Sequence, residues 1–332
     1  MEVAVIGVGY WGPNLIRNFL GNSKIRKVHA FDINKQRLEF ISKRFPEVEL
    51  TTDCDQLFKN NKIEIMVVAT PVDTHYQLSK KALEAGKHIW VEKPFTSSSA
   101  QAKEILELAE KKSLNVFVDH TFIYTGAVNK MKEIIDRNEL GDILYFDSVR
   151  INLGLFQTDV NVIWDLAPHD LSIMFYLLDK KAISVSATGI ANYFDHENVA
   201  YISVYFENNC FAHFHVNWTS PVKIRRMIAG GTRKMLVFDD MENLEKIKVY
   251  DSGVELKEKL GIYDALVQYR IGDMYSPKVN QTEALTLGVE EFINSILEKR
   301  KPLTNGDDGL KVVEILEAAD KSVKKKGALI DI

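Results

Sequence analysis

Along the first third of the chain, short runs of β-branched and apolar residues alternate with stretches whose apolar residues recur every three or four positions. The runs at 3–6, 27–31, 65–69, 88–91 and 115–118 read as strands buried on both faces; 13–20, 74–85 and 98–112 read as amphipathic helices. Alternation of this kind belongs to βαβ units, so a doubly wound parallel sheet with helices on both faces is expected. Beyond about residue 120 the period changes. After a helix over 126–137, apolar and polar positions alternate singly through 143–152, 183–193, 199–207 and 210–218. That period of two marks antiparallel strands with one face covered and the other exposed or paired with a second subunit. Helices at 280–299 and 307–324 close the chain. The expectation is an α/β protein with a parallel-sheet domain over 1–120. A C-terminal α+β domain with a large, mostly antiparallel sheet follows over 121–332, its last helices expected to pack back on the first domain.

Bulk properties narrow this picture. The 332 residues exceed the ceiling of about 250 for a single hydrophobic unit, which supports two domains. A net charge of -4 without long like-sign blocks lacks the footprint of a polyanion binder, so no nucleic-acid partner is expected. Cys54 and Cys210 are far apart and outside any CxxC spacing, which predicts buried thiols rather than a disulfide or zinc knot. No basic segment leads into an apolar leader and no run reaches about 18 apolar residues, so a cytoplasmic protein with no membrane partner is expected.

Gly7-Val8-Gly9-Tyr10-Trp11-Gly12 follows the first strand and opens the first helix. In that context the three glycines serve a tight turn, close backbone approach to a pyrophosphate, and helix-to-strand packing, as in a Rossmann domain. Helix-start amides then face the phosphates. Asp32 ends the second strand, about 20 residues on, where a carboxylate accepts hydrogen bonds from ribose hydroxyls and repels a 2'-phosphate. NAD is therefore the expected cofactor, with NADP left open by Lys35 and Arg37. A plainer alternative for Asp32 is capping of the next helix.

Two further clusters carry candidate chemistry. Thr70-Pro71 and Glu92-Lys93-Pro94 lie at the carboxyl ends of strands, where open α/β sheets hold ligands. A lysine there can stabilise alkoxide or carbonyl oxygen charge beside a nicotinamide, or it can be an exposed lysine before a turn proline. Trp164-Asp165-Leu166-Ala167-Pro168-His169-Asp170 reads as the start of a helix. Asp165 and His169, four apart, share a face, so the carboxylate can orient an imidazole that takes a proton from a substrate hydroxyl. An N-cap beside a satisfied histidine fits the same residues. Metal ligation lacks a third and fourth ligand, and none is expected.

Gly7 to Gly12, Glu92-Lys93-Pro94 and Asp165 to His169, in this order, resemble the Gfo/Idh/MocA oxidoreductases along nearly the whole chain. The resemblance implies a Rossmann domain followed by an open-faced, mostly antiparallel sheet that assembles a homodimer or homotetramer. It implies Lys93 as holder of the reacting oxygen, His169 as general acid/base and Asp165 as its partner. It also places Thr70, Pro71, His75 and Glu92 along the cofactor, with His120 near nicotinamide or substrate. Narrower similarity, through Gly9-Tyr10-Trp11-Gly12-Pro13-Asn14, Asn152-Leu153-Gly154, 161–170 and 272–277, points to the branch oxidising the 3-hydroxyl of UDP-N-acetylglucosamine or its uronic acid. Where that branch carries an arginine before 159–165, this chain has Phe156-Gln157. Substrate contacts are thus expected from Trp164, Gln157 and Arg225, with Lys223 and Arg226 as further anion contacts or solvated strand-edge charges. A free polyol or sugar substrate, and an NAD-binding regulator without catalysis, are the competing readings.

Overall fold

The computed structural model describes every residue except 155, 158, 159, 194 and 257–266. The chain divides into one unit of Met1–Tyr124 with Thr282–Glu314 and another of Thr125–Gln281 with Ile315–Ile332.

In the first unit, β1 (Glu2–Ile6), α1 (Gly12–Leu20), β2 (Lys27–Phe31), α2 (Lys35–Arg44), β3 (Glu49–Thr51), α3 (Cys54–Lys59), β4 (Ile63–Val68), α4 (Val72–Glu84), β5 (His88–Val91), α5 (Ser99–Lys112) and β6 (Val116–Val118) alternate along the chain. The strands form one parallel sheet in the order β3-β2-β1-β4-β5-β6. Residues 3–6, 65–68, 89–91 and 116–118 are apolar and buried, as in strands covered by helices on both faces. One face centres on Trp90, stacked on Phe117 at 3.9 Å and meeting Phe19 of α1 edge-on at 5.6 Å. Phe292 joins this cluster at 5.8 Å from Trp90. It belongs to α8 (Ala284–Leu297), a later helix of the chain that is part of this unit.

The second unit holds α6 (Gly126–Asp136), β7 (Ile143–Leu153), α7 (Val162–Leu177), β8 (Ala182–Ile190), β9 (Val199–Phe206), β10 (Phe211–Asn217), β11 (Thr219–Gly231), β12 (Met235–Asp239), β13 (Ile247–Leu256) and β14 (Val267–Tyr275). With β15 (Ile330–Asp331) they make a nine-stranded sheet, β14-β13-β12-β11-β7-β10-β9-β8-β15. All neighbours are antiparallel save β10 and β7, which run parallel. Burial alternates along β9 and β10, with Ala200, Ile202 and Val204 and then Ala212, Phe214 and Val216 inward. On the other face Tyr201 stacks on His215 at 4.4 Å, and Tyr205 packs edge-on to Phe211. The helix α9 (Gly306–Lys324) begins in the first unit and ends in the second.

Two expectations need correction here. Cys54, the first residue of α3, is half-exposed rather than buried, while Cys210 is buried. Lys223, Arg225 and Arg226 lie on β11, which is flanked by β7 and β12 and is no edge strand. Arg226 pairs with Asp239 directly across the register at 2.7 Å.

Candidate active site

Strand order in the parallel sheet reverses between β1 and β4, and the crevice beyond the carboxyl ends at such a point is where α/β sheets bind ligands. The glycine turn leaves β1 at that place, and its three glycines differ physically. Gly7 has φ +91°, and a Cβ there would lie 2.5 Å from the Ala69 carbonyl oxygen. At Gly12 a Cβ would lie 2.5 Å from the Gly7 oxygen. Those two close the turn. At Gly9 a Cβ would meet nothing nearer than the Arg37 guanidinium at 3.7 Å, so the missing side chain leaves open space above the backbone. The α1 helix behind it has neither a capping side chain nor an acidic residue in its first turn. Its positive end is therefore left for an external anion. Tyr10 is 94% exposed, and its ring stacks on Trp11 at 6.5 Å.

Asp32 is 3% exposed and binds the turn to the end of β2. Its Oδ2 accepts the Val8 N–H at 2.9 Å and its Oδ1 the Asn34 N–H at 2.8 Å, with Arg37 Nη1 3.5 Å from Oδ2. Oδ2 thus has two donors, while Oδ1, with one among the described residues, keeps a lone pair for a hydroxyl donor. Capping of α2 falls to Asn34, which accepts the Gln36 N–H at 2.9 Å, so the capping role considered for Asp32 belongs to its neighbour.

Thr70, Glu92, Lys93 and His120 stand just past the ends of β4, β5 and β6, with Pro71 exposed beyond Thr70. His75 is 1% exposed, its Nδ1 2.9 Å from the Pro94 carbonyl and its Nε2 2.8 Å from the Thr70 carbonyl. A neutral imidazole carries one N–H, so the ring donates to one of these carbonyls and sets a bare nitrogen against the other, packed between the two loops. Burial drives its pKa down, against the pull of those carbonyls. His120 is also 1% exposed, yet among the described residues neither ring nitrogen has a hydrogen-bond partner. Burial, and then the nearby Lys93 charge, push its pKa down to about 3, so the ring is neutral at ordinary pH. Glu92 Oε1 is likewise enclosed and unpartnered. Buried polar atoms normally find partners. The open Gly9, the uncapped helix start and these unmet atoms together fit a dinucleotide.

In the second unit, Asn161 caps α7 by accepting the Trp164 N–H at 3.1 Å. Val162, Ile163, Ala167, Pro168 and Leu171 are buried, while Asp165, Leu166 and His169 form a half-exposed stripe. Asp165 Oδ2 accepts the Trp218 indole N–H at 3.0 Å. Trp164 is 8% exposed and its indole N–H goes to Asp320 at 2.7 Å. Its polar atom is thereby occupied in holding the helix, which leaves the ring face for any substrate contact. Directly after His169, Asp170 is buried against Arg150, whose Nε donates to Oδ1 at 2.8 Å, while Ser148 donates to Oδ2 at 2.7 Å. Arg225 faces Arg150 across the register and so shares the sheet face that carries this pair; its Nη1 lies 3.4 Å from Asp240. Gln157 is exposed, and the adjacent Phe156 ring packs on Trp218 at 5.4 Å. Residue 159, which opens the stretch compared with the UDP-sugar branch, lies outside the described residues.

Residues 1–120 match the family model described as "Oxidoreductase family, NAD-binding Rossmann fold", and 128–237 match the "GFO/IDH/MocA C-terminal domain". The chain belongs to the Gfo/Idh/MocA family. It is thus one of the NAD(P)-dependent oxidoreductases acting on CH–OH groups, and its first unit is an NAD-binding Rossmann domain. Within the family it is 24% identical over 322 residues to the UDP-N-acetylglucosamine 3-dehydrogenase of Acidithiobacillus ferrooxidans, covering 94% of each chain. The solved structure of that enzyme aligns over 98% of both chains with a TM-score of 0.79. An uncharacterised oxidoreductase of Schizosaccharomyces pombe is 36% identical over 113 residues, and the match spans about a third of that relative (31%). A levoglucosan dehydrogenase solved with NADH and levoglucosan aligns at TM-score 0.85 and 18% identity, covering 100% of this chain and 99% of that one. At such identities the structural similarity shows a shared fold.

Sequence reasoning overlooked Asp119, Trp218, Asp320 and the Arg150–Asp170 pair. The rule that singled out Glu92 at the end of β5 would have found Asp119 at the end of β6. Trp218, just past β10, carries no comparable local signal.

Proposed function

We propose that this protein transfers a hydride between NAD and a secondary alcohol of a sugar nucleotide, at C3 of a UDP-N-acetyl-hexosamine or its uronic acid. Similarity to the UDP-N-acetylglucosamine 3-dehydrogenase over 94% of both chains is the observation that carries the substrate class. NAD supplies the hydride acceptor. His169, on the accessible stripe of α7, takes the hydroxyl proton, and Asp165, itself held by Trp218, supports it. Lys93 gives the reacting oxygen a positive charge, while Gly7 to Gly12 and Asp32 hold the diphosphate and ribose. In the reductive direction the same groups return proton and hydride. The assembly is a homodimer or homotetramer formed through the C-terminal sheet. No helix among the described residues is long and apolar enough to cross a membrane, and the working compartment is the cytoplasm.

The test follows NADH absorbance with a panel of UDP-sugars and free polyols. Turnover is expected on a UDP-N-acetyl-hexosamine or its uronic acid. His169→Ala and Lys93→Ala are expected to lower it by about two or more orders of magnitude while NADH still binds. Activity confined to a free polyol overturns the substrate, and unchanged turnover in both variants overturns the mechanism.

A further inference from the structure

Two carboxyl groups meet just beyond the last rung that β5 and β6 share. The register pairs Val91 with Val118, and the ladder continues: the Glu92 N–H donates to the Val68 carbonyl at 2.9 Å and the Asp119 N–H to the Val91 carbonyl at 2.8 Å. Parallel neighbours lie about 4.8 Å apart, so Glu92 and Asp119 point to the same side, and their carboxyls hydrogen-bond to each other. Asp119 is 2% exposed, and Glu92, partly exposed as a residue, has its Oε1 shut off from solvent. Two carboxylates in such contact cannot both be ionised, and a hydrogen bond between them requires one proton.

Donor counting shows where that proton sits. Asp119 Oδ1 already receives the Thr121 hydroxyl at 2.6 Å, and Oδ2 lies 3.4 Å from the Trp11 indole N–H. Among the described residues no donor reaches Glu92 Oε1, and the rest of that carboxyl receives the Lys93 backbone N–H, one donor against the two on Asp119. We infer that Glu92 is a carboxylic acid donating to an Asp119 carboxylate, and that this pair positions the Lys93 loop against Trp11 of the glycine turn. Lys93 and the neutral His120 are the other titratable groups beside it, and Tyr124 feels the Asp119 charge. Burial lifts both carboxyls above their ordinary range, Glu92 the further, with the Asp119 charge adding to its rise. The positioning role rests on the reading of Lys93 as a group beside the nicotinamide. NADH binding and folding stability need no sugar substrate, so they can fail or succeed independently of that reading.

Fluorescence titration with NADH and denaturant unfolding, from acid to mildly alkaline pH, test the pair in the full chain. A Gln amide can replace the acid proton and keeps an acceptor oxygen, so Glu92→Gln is expected to weaken NADH binding clearly less than Asp119→Asn does. An Asn offers one acceptor oxygen where the Glu92, Thr121 and Trp11 donors converge, so Asp119→Asn is expected to weaken NADH binding about tenfold or more. A carboxyl whose value is raised by folding contributes stability that is full below its ordinary 4.5 and is lost as pH climbs through the raised value. The stability of Glu92→Gln relative to the unaltered chain is therefore expected to grow as pH rises above 4.5. Parallel pH curves for these two proteins, or equal NADH loss in both variants, overturn the inference. Should Asp119→Asn fail to fold, the Glu92→Gln stability curve still decides.

Discussion

At the carboxyl ends of the six-stranded sheet, among the described residues, buried His120 has no hydrogen bond at either ring nitrogen and partly exposed Glu92 has none at its enclosed Oε1. Beside α7 in the nine-stranded unit, Arg150 and Asp170 are as deeply buried but are bonded to each other, with Ser148 completing the carboxylate. Unmet buried polar atoms are costly, and a fold keeps them where a ligand will supply the partner. A saturated ion pair fixes one arrangement of helix on sheet, here the placement of the residue next to His169. The first region is therefore built to receive something, and the second to hold something still.

The difference can be broken most severely at the ion pair. Arg150→Ala leaves the Asp170 charge buried without its guanidinium, and denaturant unfolding should show a loss of about 3–5 kcal/mol. Replacing both partners together with apolar residues should recover most of it, and a loss as large as that of the single variant would count against the pair as framework.

Within the glycine turn the contrast is finer. Gly7→Ala meets both a φ of +91° and the Ala69 carbonyl, and should cost on the order of 1–3 kcal/mol. Gly9→Ala should leave stability within about 0.5 kcal/mol and show its effect only as weaker NADH binding. Equal destabilisation by the two would erase the distinction drawn between a closing glycine and an open one.

The smallest effect on folding is expected at His120. Its pKa falls from an ordinary 6.5 to about 3 in the folded chain, so its contribution is present above pH 6.5 and is lost as pH falls towards 3. His120→Phe removes two unmet polar atoms and should change stability at neutral pH by no more than about 1 kcal/mol. It should also flatten the loss on acidification and weaken NADH binding. An unaltered acid limb in the unfolding curve would show that the ring is not buried as a neutral group.

The parallel half was legible to the extent that its strands are continuous apolar runs bounded by turns. Missing from that reading were β3, three residues long, and α3, while α2 entered only as a helix without bounds after Asp32; both helices are mostly polar because they cover the sheet with few side chains. The second half was less legible. β11 begins with Thr219, Ser220 and Pro221 and carries Lys223, Arg225 and Arg226, so its charges hide the period of an interior strand. Those charges are tolerated because Asp239 and Asp240 come from the neighbouring strand and the turn after it. No local pattern announces a partner that folding brings from a different strand.

What the chain determined by itself was local and periodic: strand and helix types, the glycine turn with its acidic residue after β2, and the helix pairing Asp165 with His169 four positions apart. These follow from backbone sterics and side-chain period, which act over a few residues. Only the tertiary structure decided the strand order, the parallel contact of β10 with β7, the meeting of Glu92 with Asp119, and the partners that the polar atoms of His75 and Trp164 find. Each of those depends on which groups are enclosed together, and enclosure is a property of the assembled layers, where an unmet or saturated hydrogen bond acquires its energetic weight.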